Sequence, residues 1–269
     1  TPEELEDDID KALKEHGCAK VKLNADEIDG FYYGFSNRTI WPLFHYFLKY
    51  SEFELNYWDT YKSVNQKFAD AIIENSDEDD TIWIHDYQLM LVPQMVREKR
   101  PDTTIGFFLH IPFPSFEIFR TLPWREEILE GLLGSDLIGF HTYDYERHFL
   151  SSVRRLIGLD VSFNEIYLDN RVIKVDSFPM GIDYKKFRDA AVLHDSKSKD
   201  ERSDLQLRLD NHKASAPDTK LILSIDRLDY SKGIAKRINA FEYFLQKYPE
   251  YKEKVRLIIL AVPSRSNVP

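Results

Sequence analysis

An α/β fold built on a parallel sheet is what this sequence predicts, and three observations carry the expectation. From Thr81 to Gly181 short apolar runs alternate with helix-like stretches. The runs TIWIH, TIGFFLH and DLIGFH are almost continuously apolar, as strands covered on both faces should be. A second strand–loop–helix–strand unit opens at KLILSID and closes with VRLIILA. The first three runs end on His85 and Asp86, on His110 and on His141. Parallel strands bring such carboxyl ends to one edge, where open α/β sheets bind ligands.

In chain order, TPEELEDDIDKALKEHG reads as a helix. Leu5, Ile9, Ala12 and Leu13 share a face, acids load the first turn, and Gly17 can close it. CAKVKLN alternates like a strand. DGFYYGFSNRTIWPLFHYF is aromatic-rich without a clean period. Gly30, Gly34, Ser36 and Asn37 predict a loop there, before a helix starting near Trp41-Pro42. Tyr32 and Trp41 beside Asn37 and Arg38 suit plain packing and equally a sugar or phosphate site. WDTYKSVNQKFADAIIEN is an amphipathic helix, and SDEDD a solvated acidic turn.

After TIWIH, Asp86 can cap a helix beginning near Tyr87 or touch a ligand. The stretch from Phe107 to Arg120 organises its neighbours. FFLH runs into IPFP, whose prolines forbid strand and helix, and Ser115 can cap the helix that follows, with Glu117 in its first turn. A stiff loop carrying His110 at a strand end suits a reacting group, though histidines also sit there for structure. YERHFLSSVRRLIG is a helix stopped by Gly158, and RVIKVDSFPMGID a strand entering a Pro-Gly turn.

From Tyr184 to about Asp218 the chain turns polar, with one helix expected around Asp200–Lys213. The expected domains are therefore 1–180, a linker with a helix over 181–215, and the start of a second domain over 216–269. In RLDYSKG, Arg227 and Lys232 bracket a turn whose Gly233 opens a helix. Backbone N–H groups, the helix dipole and two cations converge there, which suits a diphosphate. The spacing matches neither the P-loop nor the dinucleotide fingerprint, and a solvated turn is the plain alternative. Arg265, after LIILAVPS, is a second phosphate candidate.

The 269 residues carry a formal net charge of −10, which argues against nucleic acid or an anionic membrane as the main partner. Cys18 is the only cysteine, so an intrachain disulfide and a cysteine-based zinc site are excluded, and a reducing, cytoplasmic setting is expected. No apolar run approaches membrane-spanning length, and the acidic amino end is unlike a signal peptide.

The stretches YYGFSNRTIWPLFHY, WIHDYQLMLVPQMVR, IGFFLHIPFPSFEIFRTLPWREEIL, DLIGFHTYDYERHFLSS, FPMGID, DRLDYSKGI and AVPSR together resemble the trehalose-6-phosphate synthases. The resemblance runs from about Tyr32 to the carboxyl end. It implies a GT-B fold, two Rossmann-like domains facing a cleft. It also implies glucose transfer from UDP-glucose to glucose 6-phosphate with retention, without a metal or other cofactor. By likeness, Asp86 and His110 are the catalytic pair. Tyr32, Trp41, Asp86 and Arg265 hold the acceptor glucose 6-phosphate. His110, Arg227 and Lys232 hold the donor, and Trp41 and Ile111 shape the pocket that selects the anomer. A homo-oligomer and a fused or associated trehalose-6-phosphate phosphatase are compatible with the family. The family's first strand, glycine-rich donor loop and later acidic donor motif are not in this chain. The expectation is an internal fragment with a truncated second domain, inactive and prone to aggregate alone. A transferase with another phosphorylated acceptor, and a non-catalytic sugar-phosphate sensor, are the alternatives.

Overall fold

The computed structural model describes residues 3–263. The chain divides into two compact units, the first running to Met180 and the second starting at Gly181.

The first unit is built on a six-stranded sheet in the order β1-β2-β3-β6-β5-β4. Its strands are β1 (Ile82–His85), β2 (Ile105–Phe108), β3 (Leu137–Phe140), β4 (Asp160–Ser162), β5 (Glu165–Tyr167) and β6 (Val172–Ser177). β1, β2, β3 and β6 are parallel, and β4 and β5 add an antiparallel hairpin on the outer side of β6. Register places Ile84, Phe107, Ile138 and Val175 in one row across the parallel strands, all of them buried. Phe113, fully buried beyond β2, meets the rings of Phe44, Phe119, Phe140 and Phe149. The alternate residues of the strands point the other way, and there Trp83 is 68% exposed. A concavity of about 640 Å³ lies over that row, lined by Trp83, His85, Phe108, His110, Leu137 and Phe178 among others. The expected cover on both faces is thus incomplete among the described residues.

Several elements differ from the sequence-based expectation. CAKVKLN forms no strand, because no described strand lies beside it to complete a ladder. The aromatic stretch is helical for most of its length: Ile28–Ile40 is a π-helix that passes directly into the helix Trp41–Phe44. Gly30 and Gly34 are contact points rather than loop markers. A Cβ at Gly30 would lie 2.7 Å from Thr60, and one at Gly34 would lie 2.6 Å from the Tyr57 ring. Both partners belong to the helix Leu55–Glu74, so the glycines allow two helices to approach closely. Ser115 occupies the N-cap position of the short helix Phe116–Phe119 but makes no side-chain cap bond. The opening helix forms over Glu3–Glu15 and Gly17 takes the left-handed conformation (φ 65°), yet Ile9 stays exposed.

The second unit holds two parallel strands, β7 (Lys220–Leu228) and β8 (Val255–Pro263), joined through the helix Ile234–Lys247. The region read as polar linker contains two helices, Tyr184–Asp195 and Asp204–Ser215, where one was expected. The later one is capped reciprocally by Ser203 and Gln206. Among the described residues no helix is long and apolar enough to cross a membrane.

Candidate active site

The carboxyl edge of β1, β2 and β3 gathers Asp86, His85, His110 and His141. Asp86 sits at φ 74° and ψ 170°, a region that residues other than glycine rarely enter. Polar contacts hold it there. Its N–H donates to the Phe108 carbonyl at 2.8 Å. Its Oδ1 accepts from the Tyr87 N–H at 2.9 Å and from the His110 N–H at 3.2 Å. The carboxylate therefore caps the next turn and also ties β1 to the loop after β2.

The helix Leu55–Glu74 braces that turn from below. The Tyr61 hydroxyl donates to the Tyr87 carbonyl at 2.8 Å and accepts from the Met90 N–H at 3.1 Å. Asn65 donates to the Gln88 carbonyl at 3.0 Å and accepts from the Leu91 N–H at 3.2 Å. Burial keeps the Tyr61 phenol protonated far above its ordinary range. Two side chains of one helix thus satisfy four backbone groups that a buried turn would otherwise leave unpaired.

His110 packs on Phe108 (4.7 Å between ring centroids) and faces His141 (5.6 Å). Its pKa lies below the usual histidine value. Burial is the main cause, His85 and His141 add to it, and the Asp86 carboxylate opposes. A neutral imidazole results at physiological pH, able to donate one hydrogen bond and accept another.

Trp41 and Tyr32 reach this edge through intermediaries. The Trp41 ring lies 5.7 Å from that of Tyr87, whose hydroxyl donates to Asn37 Oδ1 at 3.2 Å. Asn37 in turn donates to the Tyr32 carbonyl at 2.6 Å. Tyr32 is half-buried, whereas Trp41 and Ile111 are each 5% exposed. The π-helix therefore carries Tyr32 and Asn37 to the Asp86 turn as one rigid piece.

The second unit carries the turn with Arg227 and Lys232. Asp229 accepts from the Ser231 N–H at 2.8 Å, and Gly233 adopts φ 63°, a left-handed value that glycine takes without strain. The helix Ile234–Lys247 starts immediately after it. Arg227 pairs opposite Val262, one residue before the ladder ends, and is exposed, while Lys232 is half-buried. Arg237, which the sequence did not single out, fastens the turn. Its guanidinium pairs with Asp226 at 2.9 Å, donates to the Ser224 hydroxyl, and donates to the Lys232 carbonyl at 2.8 Å. Arg265 lies outside the described residues. Among the described residues no group of three or more His, Cys, Asp or Glu is placed to hold a metal.

The model of glycosyltransferase family 20 matches residues 1–269. The chain belongs to glycosyltransferase family 20. Relatives within and around the family agree in sequence and fold. The α,α-trehalose-phosphate synthase (UDP-forming) A of Dictyostelium discoideum is 44% identical over 98% of this chain and 36% of its own length. The α,α-trehalose-phosphate synthase (UDP-forming) of Schizosaccharomyces pombe is 45% identical over 97% of this chain and 50% of its own. Among solved structures, a trehalose-6-phosphate structure from E. coli bound with UDP-2-fluoro glucose superposes with TM-score 0.83 at 35% identity, covering 92% of this chain and 53% of that one. An α,α-trehalose-phosphate synthase (UDP-forming) from Burkholderia xenovorans in complex with glucose-6-phosphate gives 0.81 at 32% identity, covering 91% and 53%. The α/β fold of this family 20 chain is thus of the GT-B type. The chain spans about half, or less, of the length of the curated relatives it matches.

Proposed function

We propose that the protein transfers glucose from UDP-glucose to glucose 6-phosphate, forming α,α-trehalose 6-phosphate with retention. The observation that carries this reading is the fixed carboxylate of Asp86 beside a neutral His110, at the sheet edge where such folds bind ligands. The neighbouring structures support the two substrates, one holding a UDP-glucose analogue and another glucose-6-phosphate.

On this reading Asp86 accepts hydrogen bonds from the acceptor sugar. Tyr32 and Trp41 build the wall beside it, and Arg265 meets the acceptor phosphate. His110 bonds the donor glucose, with Ile111 and Trp41 behind it shaping the pocket that sets the anomer. Arg227 and Lys232 neutralise the donor diphosphate, backed by the backbone N–H groups around Gly233. The bond from glucose C1 to the diphosphate oxygen breaks while the acceptor hydroxyl bonds to C1 on the same face. The hydroxyl proton passes to the departing phosphate oxygen. Asp86 suits acceptor binding better than nucleophilic attack, because its Oδ1 already accepts two backbone N–H groups. A phosphatase acting on the product, fused or associated, fits this reading. The relative from Thermoproteus tenax is a bifunctional trehalose-6-phosphate synthase/phosphatase, 44% identical over 271 residues. A single cysteine and the acidic charge fit a cytoplasmic setting.

The test is to incubate the full-length protein with labelled UDP-glucose and glucose 6-phosphate. UDP release with formation of the disaccharide phosphate is expected. Binding of glucose 6-phosphate without UDP release would replace the transferase reading with that of a sensor. In the same protein, Arg227→Ala should weaken UDP-glucose binding about 10- to 100-fold, the loss of charge-assisted bonds worth about 1.5–3 kcal/mol, and leave glucose 6-phosphate binding unchanged. Equal losses for both ligands would show the two anion sites to be misassigned.

A further inference from the structure

His85 has no part in the reading above, yet its Nδ1 lies 2.9 Å from His110 Nε2. The two rings are 5.2 Å apart between centroids and inclined by 31°. His85 is itself seated on Trp83, at 4.4 Å. Three contacts therefore immobilise His110. Asp86 holds its backbone N–H, Phe108 lies against its ring, and His85 holds its Nε2. The remaining ring nitrogen, Nδ1, is the atom left to address a ligand.

We propose that His85 is a positioning residue, which shares one proton with His110 and so sets both the orientation of that ring and its charge state. This rests on the reading of His110 as the residue that meets the donor sugar. Two nitrogens at hydrogen-bond distance hold one proton between them. A pair with both rings protonated would set N–H against N–H, so charging both at once is disfavoured. The charged and titratable groups around His110 are Asp86, His85 and His141. Of the two rings in the pair, His85 is the exposed one and His110 is partly buried. The shared proton is assigned to His85 Nδ1. That ring then donates through Nδ1 and leaves His110 neutral, its Nδ1–H directed outward.

The experiment uses the full-length protein in three forms: wild type, His85→Ala and His85→Asn. The asparagine amide occupies nearly the place of imidazole Nδ1, so it keeps the hydrogen bond without titrating. Selective ¹⁵N labelling of histidine reads the His110 tautomer and its titration directly. In wild type His110 should titrate below the ordinary value of about 6.5, and in both variants at higher pH. In glucosyl transfer, His85→Ala should lower kcat about tenfold near neutral pH with KM for glucose 6-phosphate unchanged, the scale of a misoriented group. His85→Asn should restore most of that loss. An unchanged His110 titration in His85→Ala overturns the proposal, as does an equal kcat in the Ala and Asn variants. The NMR measurement needs no turnover. It decides the role of His85 even in a protein that transfers no glucose, a result that would count against the transferase reading alone.

Discussion

The two units are written in the same strand–helix grammar but are stabilised differently. In the first, the row Ile84, Phe107, Ile138 and Val175 is buried and a ring cluster closes around Phe113. Among the described residues of the second, only Gln206 and Ser224 are buried, and Leu223, Ile225, Leu260 and Val262 stand at least half exposed. The edge with Asp86 and His110 is thus held by a core, through Tyr61 and Asn65. The turn with Arg227 and Lys232 is held by local polar bonds, through Asp229, Gly233 and Arg237. Core-held sites should fail when packing fails. Bond-held sites should fail when one side chain is lost.

The sharpest test of that contrast is a pair of phenylalanine truncations. Phe113→Ala should cost about 3–5 kcal/mol, the usual penalty for emptying a full aromatic site in a core. Phe244→Ala, half-buried against the exposed rings of Tyr248 and Tyr251, should cost less than half as much. Urea unfolding of the 269-residue chain measures both, and equal costs would erase the distinction between the units. Next in size is Arg237→Ala, expected to weaken UDP binding about tenfold by freeing the turn, with Arg237→Lys recovering part of it. Calorimetric titration with UDP reads this. Wild-type affinity in the Ala variant would mean that Asp229 and Gly233 suffice.

The smallest effect concerns a buried charge. Glu146, in the helix Tyr143–Ser152, is buried, and its pKa is raised chiefly by that burial and then by nearby Asp176. The folded state therefore keeps this proton above pH 4.5, where the unfolded chain releases it. Stability contributed by the protonated group falls as pH rises through that window and is gone once Glu146 ionises in the fold. Glu146→Gln should raise the melting temperature by a few degrees at neutral pH and leave it unchanged at pH 4, since about 1 kcal/mol shifts a midpoint of this size by only 2–4 °C. Exposed Glu250→Gln in the second unit should change neither. A melting temperature lowered at neutral pH in Glu146→Gln would mean that the hydrogen bond with Ser177 favours the carboxylate more than burial and Asp176 oppose it.

Much of this was legible in the letters, for identifiable reasons. Strands β1, β2 and β3 are short apolar runs with polar stops, so their carboxyl ends and the residues at them could be read directly. Gly30 and Gly34 misled, because glycine marks a loop and a close helix contact with the same symbol; only Thr60 and Tyr57, about 25 residues away, tell them apart. The hairpin of β4 and β5 escaped because its strands are three residues long and its turn uses Phe163 at φ 52°, where a glycine or asparagine would have announced it. The His85–His110 bond and the Arg237 clamp were hidden for another reason. Each joins side chains whose meeting depends on register, which no single stretch encodes.

The backbone of Asp86 has a consequence for how such a protein can be improved. Its conformation is one that glycine adopts freely and aspartate does not, at a cost of order 1–3 kcal/mol. Asp86→Gly would relieve that cost but leave the Tyr87 and His110 N–H groups without their acceptor, a loss of similar size. One carboxylate thus both causes the backbone's difficulty and compensates for it.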